Sequence, residues 1–276
     1  MPSRTAIPLH KKRLAKFIQG AHDHDNPHKS LVSLLSLGTG PRNITVGHVH
    51  EDWFFYDENA LFMQIPAHEE CRKDPDDEAA CGDCRDNGHD HYEPKTPAGK
   101  SRVILITNNW TNHAEGGRLG KEEYFGLRDM VEQYFALSDP EAPDRAQHGN
   151  RMIGPQGNGI SRNTVNNWIR DVAAVSGIKS PMRARRIRKE IVDNEYEGDE
   201  EYEDPVKKWG RDADGNQIPD LFSHDLRASY ATQLMRNEVP PTEAITKTGH
   251  KDPDNLQPYV MFAVNEISKE KEKNFF

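Results

Sequence analysis

Two groups of residues have the types and spacing to do chemistry. In Leu221 to Tyr259, His224 and Arg227 are three apart, His250 directly follows Gly249, and Tyr259 comes nine residues later. Imidazole and guanidinium side chains three apart on a helix share one face. Together they offer hydrogen bonds and positive charge to an oxyanion, and a tyrosine hydroxyl near them is a potential nucleophile. The second group is His68-x2-Cys71 and Cys81-x2-Cys84, with His89 and His91 shortly after. Soft thiolates with one imidazole suit tetrahedral zinc.

Elements to position these residues are legible. Leu226, Tyr230 and Leu234 repeat every four residues, which predicts a helix over 224–236 with one buried stripe. A second helix follows Pro240-Pro241, with Thr242 as cap, and ends at Gly249. Upstream, Leu14, Phe17 and Ile18 predict one helix and Leu31 to Leu37 another, broken by Gly38-Thr39-Gly40-Pro41 just before Arg42. Residues 53–55, 60–65 and 103–106 read as short strands. Helical spacing returns in Tyr124 to Phe135 and in Val165 to Val172, the latter after a capping Ser161. His48 and His50 alternate along an extended segment and are expected at the surface.

The 276 residues carry 36 Lys and Arg against 45 Asp and Glu, a net charge of −9. A uniformly basic coat for nucleic acid is excluded, although a local basic face is not. The apolar stretch around Leu31 to Leu37 is far shorter than the roughly 20 residues of a membrane helix, and no signal core opens the chain. Three cysteines make no disulfide framework. A cytoplasmic protein is expected. Lys179, Arg183, Arg185, Arg186, Arg188 and Lys189 are followed by nine acidic residues between Glu190 and Asp204. Such blocks read either as solvated charge or as a basic arm touching DNA.

H-x-x-R, then G-H, then Tyr resembles the signature of tyrosine recombinases, the phage-integrase family. Leu37-Gly38-Thr39-Gly40-Pro41-Arg42 resembles the box carrying that family's first arginine. Lys95-Thr96-Pro97-Ala98-Gly99-Lys100-Ser101-Arg102 resembles the hairpin carrying its lysine, a role for which Lys95 is preferred over Lys100. The resemblance implies a mainly helical (α+β) catalytic domain with a small three-stranded antiparallel sheet. The resemblance covers most of residues 8–265, and by it 1–276 is one domain with inserts at 66–93 and 179–220, with no separate N-terminal core-binding domain visible. Cysteine-bearing inserts at this hairpin look similar to those of haloarchaeal integrases.

By that resemblance the chain is a site-specific DNA recombinase. Arg42 and Arg227 clamp the non-bridging oxygens of a phosphodiester, and His224 and His250 donate hydrogen bonds or manage the nucleophile's proton. Tyr259 attacks phosphorus to give a 3′-phosphotyrosyl ester, and Lys95 protonates the departing 5′-oxygen. Arg183, Arg185, Arg186, Arg188 and Lys189 would contact DNA. The partners implied are double-stranded DNA and further copies of the chain, as a tetramer on DNA, with no membrane. No cofactor is expected for catalysis. A structural zinc is expected on His68, Cys71, Cys81 and Cys84, with His89 as an alternative ligand. Tyr230 is the rival tyrosine, but its place in the buried stripe marks it as core. Thr45 stands where the family carries a carboxylate that would help hold Arg42. A type IB topoisomerase or resolvase-like enzyme, and an inactive DNA-binding regulator, are the other readings.

Overall fold

The structure, a computed structural model, describes residues 6, 8–9, 11–73, 80–96, 99–108, 126–137, 151–178, 221–261 and 263. Its centre is α2 (Pro27–Thr39), in which Leu31, Val32 and Leu35 are fully buried. Asn26 starts this helix by accepting from the backbone of His28 and Lys29, and Pro27 sits in its first turn. Helices α1 (Lys11–His22), α5 (Leu127–Phe135), α6 (Arg162–Val175) and α7 (Ser223–Arg236) pack around it. A helix apolar on nearly every side can only be a core element. As expected, Ser161 caps α6, its hydroxyl accepting from Thr164 N.

Between these helices lie the short α3 (Asn43–His48), a three-stranded antiparallel sheet and the single turn α4 (Gly82–Arg85). The strands β1 (Phe54–Asp57), β2 (Ala60–Ile65) and β3 (Arg102–Ile106) pair in chain order, with Phe54 opposite Met63 and Leu61 opposite Ile106. Alternation turns Leu61, Met63 and Ile65 inward from β2. The same alternation turns Arg102, Ile104 and Ile106 inward from β3, leaving Val103 and Leu105 exposed. The strands expected at 53–55, 60–65 and 103–106 therefore form, the first running on to Asp57 and the others within a residue at each end.

After α7 the chain turns into α8 (Pro241–Thr248), closed by Gly249 in the left-handed conformation (φ 65°). Thr242 does not cap α8: the helix begins behind Pro240, with Pro241 in its first turn, and no side chain caps it. His48 and His50 are not surface residues, each being 1% exposed. The segment after Arg42 is helical rather than extended, and the Glu69–Tyr92 bridge at the base of the connection between β2 and β3 folds over it. Among the described residues, no helix is long and apolar enough to cross a membrane.

Candidate functional site

Arg42 owes its position to the end of α2. Gly40 closes that helix at φ 58°, ψ 34°, the left-handed region open to glycine. A Cβ there would also lie 2.4 Å from Cδ1 of Tyr230, so the ring packs on the turn's bare backbone. Tyr230, 4% exposed, is core as expected. The Gly40 carbonyl accepts a 2.8 Å hydrogen bond from Nη1 of Arg227, which reaches across from α7. Gly40 thus seats both arginines, Arg42 two residues on and Arg227 by its carbonyl.

The Arg42 guanidinium is held by a hydroxyl instead of a carboxylate. Its Nη1 donates to Thr96 Oγ1 at 3.1 Å, and Thr96 donates in turn to the Gly249 carbonyl at 3.2 Å. Thr45, in the position where a carboxylate was expected, instead accepts from Tyr92 Oη at 3.1 Å. Thr96 therefore ties the first arginine to the turn that presents His250.

A third guanidinium belongs to this site, and sequence reasoning missed it. Arg102 is 4% exposed, and its Nε, like Nη2 of Arg227, is buried without a partner among the described residues. Burial pulls the Arg102 guanidinium down to about 10, with Arg42 adding to the effect. Burial, then Arg102 and Arg42, pull Arg227 well below the ordinary arginine range. The signal was present in the strand pattern: Arg102 is in register with Ile104 and Ile106 on the inward face. A charge at an inward position needs a reason.

His250 lies in the same field. Burial, followed by Arg227, Arg42, Arg102 and His224, pushes its imidazole down to about 3, so it is neutral at physiological pH. Thr248 gives its hydroxyl proton to Ala244 O at 2.6 Å, so it accepts from His250 Nδ1 at 2.6 Å. That leaves Nε2 with a lone pair, a base site. The Tyr259 ring lies 5.9 Å from the His250 ring, centroid to centroid. Burial raises the Tyr259 hydroxyl above its usual range while Arg227 opposes the shift. At the first turn of α7 the His224 imidazole is pulled down by the partial desolvation of its ring and by the nearby Arg227 and Arg42.

The structure thus brings Arg42, His224, Arg227, His250 and Tyr259 together. Lys95 directly precedes Thr96 but is exposed, and makes no hydrogen bond or ion pair with a described residue. Lys100 is paired with Glu93. Arg183, Arg185, Arg186, Arg188 and Lys189 lie outside the described residues, as does the whole insert 179–220.

The three cysteines converge as expected, but His68 does not join them. It is exposed, its ring 5.8 Å from that of His91, and His89 is not in the cysteine group either. The fourth member is His48, whose Nε2 lies 3.3 Å from Cys84 Sγ, 3.5 Å from Cys81 Sγ and 3.7 Å from Cys71 Sγ. Spacing favoured His68 because it precedes Cys71 by three. The fold instead lays the cysteine loop against the end of α3, where His48 is buried. No local signal marks His48, which is remote from the cysteines in sequence.

No family model matches the chain, and no curated protein matches it in sequence. Solved structures do match. The XerH site-specific recombinase bound to a palindromic difH substrate aligns over 97% of this chain and 53% of its own length, at 11% identity and TM-score 0.52. The XerA recombinase aligns over 98% of this chain and 66% of its own, at 12% identity and TM-score 0.51. The chain therefore spans between half and two thirds of those proteins. At such identities the likeness is one of fold, and that fold, mainly helical with a small three-stranded antiparallel sheet, is that of tyrosine recombinase catalytic domains.

Proposed function

We propose that this protein is a site-specific DNA recombinase that breaks and rejoins strands through a phosphotyrosyl intermediate. One observation carries the reading: three inward guanidiniums and two imidazoles meet beside a tyrosine, with two guanidinium nitrogens buried unpartnered among the described residues. Such a field is unfavourable until an anion enters it. A phosphodiester is an anion whose charge grows on its non-bridging oxygens as the reaction proceeds, where these donors would act most strongly.

In this mechanism Arg42 and Arg227 hold the non-bridging oxygens, with the buried Arg102 adding to the positive field. Tyr259 Oη attacks phosphorus and its proton passes to His250 Nε2. The bond to the 5′-oxygen breaks, and Lys95 protonates that oxygen. The strand is retained as a 3′-phosphotyrosyl ester, and a 5′-hydroxyl from a second duplex reverses the step. Exchange between duplexes calls for several copies of the chain, a tetramer on DNA. Arg183, Arg185, Arg186, Arg188 and Lys189 are proposed as DNA contacts.

The test uses a pool of nicked duplexes with a randomised central region, designed so that the cleaved product cannot be religated. The wild-type chain should form a covalent adduct that survives denaturation, and Tyr259→Phe should form none while keeping its circular dichroism spectrum. An adduct with Tyr259→Phe would overturn the nucleophile. DNA binding by the wild-type chain without any adduct would favour the regulator reading.

A further inference from the structure

The group at the end of α3 has the dimensions of a coordination sphere. Besides the three distances from His48 Nε2, the sulfurs of Cys81 and Cys84 are 3.7 Å apart and those of Cys84 and Cys71 3.9 Å apart. A tetrahedral zinc ion with bonds of about 2.3 Å to sulfur and about 2.0 Å to nitrogen sets edges of about 3.8 Å between sulfurs and about 3.5 Å between sulfur and nitrogen. All five distances fall close to those edges. The cysteines are free, and their separations far exceed the roughly 2.05 Å of a disulfide bond.

The surroundings are arranged for a ligand set. His48 Nδ1 donates to the Ile44 carbonyl at 2.7 Å, which fixes the tautomer and points a lone pair on Nε2 at the three sulfurs. Cys81 N donates to Cys71 Sγ at 3.4 Å. One turn of α4 brings the Cys81 and Cys84 sulfurs to one side. That turn is docked by Asp83, which accepts from Arg162 N at 3.0 Å and pairs with Lys73 at 3.0 Å. A polar connection of this length has little core of its own, and a metal would supply the missing stability.

We propose that His48, Cys71, Cys81 and Cys84 hold one structural zinc ion, which anchors the helix at whose start Arg42 stands. Three thiols lose their protons on binding, and four ligands leave no open position for substrate. Helix α3 has six residues, too few to be stable alone, with Arg42 at its N-cap and His48 at its end. Tyr92 braces its middle, bonding Thr45 and packing its ring 4.6 Å from that of His48. Gly47 lies so close to Ile160 that a Cβ would meet the Ile160 carbonyl oxygen at 2.2 Å. The importance of Arg42 rests on the recombinase reading, whereas the metal site does not.

Protein purified without chelator should contain one equivalent of zinc, and its cobalt-substituted form should show the absorption of a tetrahedral thiolate site. Less than about half an equivalent would overturn the site. His68→Ala should keep the stoichiometry and the cobalt spectrum, while His48→Ala should lower zinc affinity by about a hundredfold or more, since loss of a ligand exceeds loss of an outer partner. His48→Cys, which retains a fourth ligand, should bind zinc with a cobalt spectrum shifted to that of four thiolates. Zinc lost in His68→Ala and kept in His48→Ala would refute the assignment. Zinc removal should speed amide exchange at 44–48 by about tenfold or more while 226–234 stay protected. Unchanged exchange at 44–48 after complete removal would reject the anchoring. Full zinc behaviour with no DNA adduct would sink the recombinase reading alone.

Discussion

Replacing Thr96 with valine isolates the link between Arg42 and the His250 turn. The substitution nearly preserves shape but removes the oxygen that accepts from Arg42 Nη1 at 3.1 Å and donates to Gly249 O at 3.2 Å. A hydrogen bond to a charged group contributes about 1.5–3 kcal/mol and a neutral one about 0.5–1.5 kcal/mol. Arg42 is half-buried, so water recovers part of this, and the loss in folding stability should be about 1–2 kcal/mol. The larger effect should fall on rate. An Arg42 free to rotate loses its hold on the phosphate oxygens, and misplacement of that order slows cleavage by about 10–100-fold, or about 1.4–2.8 kcal/mol in barrier. Single-turnover adduct formation on a nicked duplex gives the rate, and fluorescence anisotropy gives DNA affinity, which should change less than about threefold because the contact strengthens mainly in the transition state. Thr96→Ser restores the hydroxyl and should restore most of the rate. Thr96→Val cleaving at the wild-type rate, or Thr96→Ser as slow as Thr96→Val, would refute the reasoning.

Three further outcomes concern the same site. His250, held down to about 3 against an ordinary 6.5, is neutral in the free protein, and a phosphate among the arginines should raise it. Binding then takes up a proton at acid pH, so DNA affinity should strengthen as pH falls below 6.5 toward the free-protein value of about 3, with His250→Gln flattening that slope; equal slopes for both proteins would exclude His250 as the group responsible. In the free protein the depressed value has the opposite consequence, stability being lost as pH falls below 6.5 toward 3. Gly40→Ala forces a left-handed alanine and drives a Cβ into Tyr230 at 2.4 Å. That should destabilise by about 2–4 kcal/mol and lower Tm by roughly 5–15 °C. A melting temperature within about 2 °C of wild type would show that the turn yields.

Much of the site was legible before any coordinates, because its residues sit at places where local rules are strong. His224 and Arg227 share the first turn of a helix whose apolar repeat is plain, and Gly40 and Gly249 end helices as left-handed caps, one shortly before Arg42 and the other directly before His250. The three strands announced themselves by β-branched and aromatic runs, and the cysteine pairs by their spacing. Tertiary structure alone decided the partners. His48 could be assigned to the cysteines only once the connection between β2 and β3 folded back on α3, since nothing in a short helical stretch says which distant sulfurs it will meet. Thr96 could replace the expected carboxylate only because the turn after α8 lies beside it. Arg102 stands between the two cases: its inward register is written in the alternation of β3, but its neighbours Arg42 and Arg227 come from other parts of the chain. Periodicity determines which way a side chain faces, whereas what it faces depends on contacts between segments far apart in sequence.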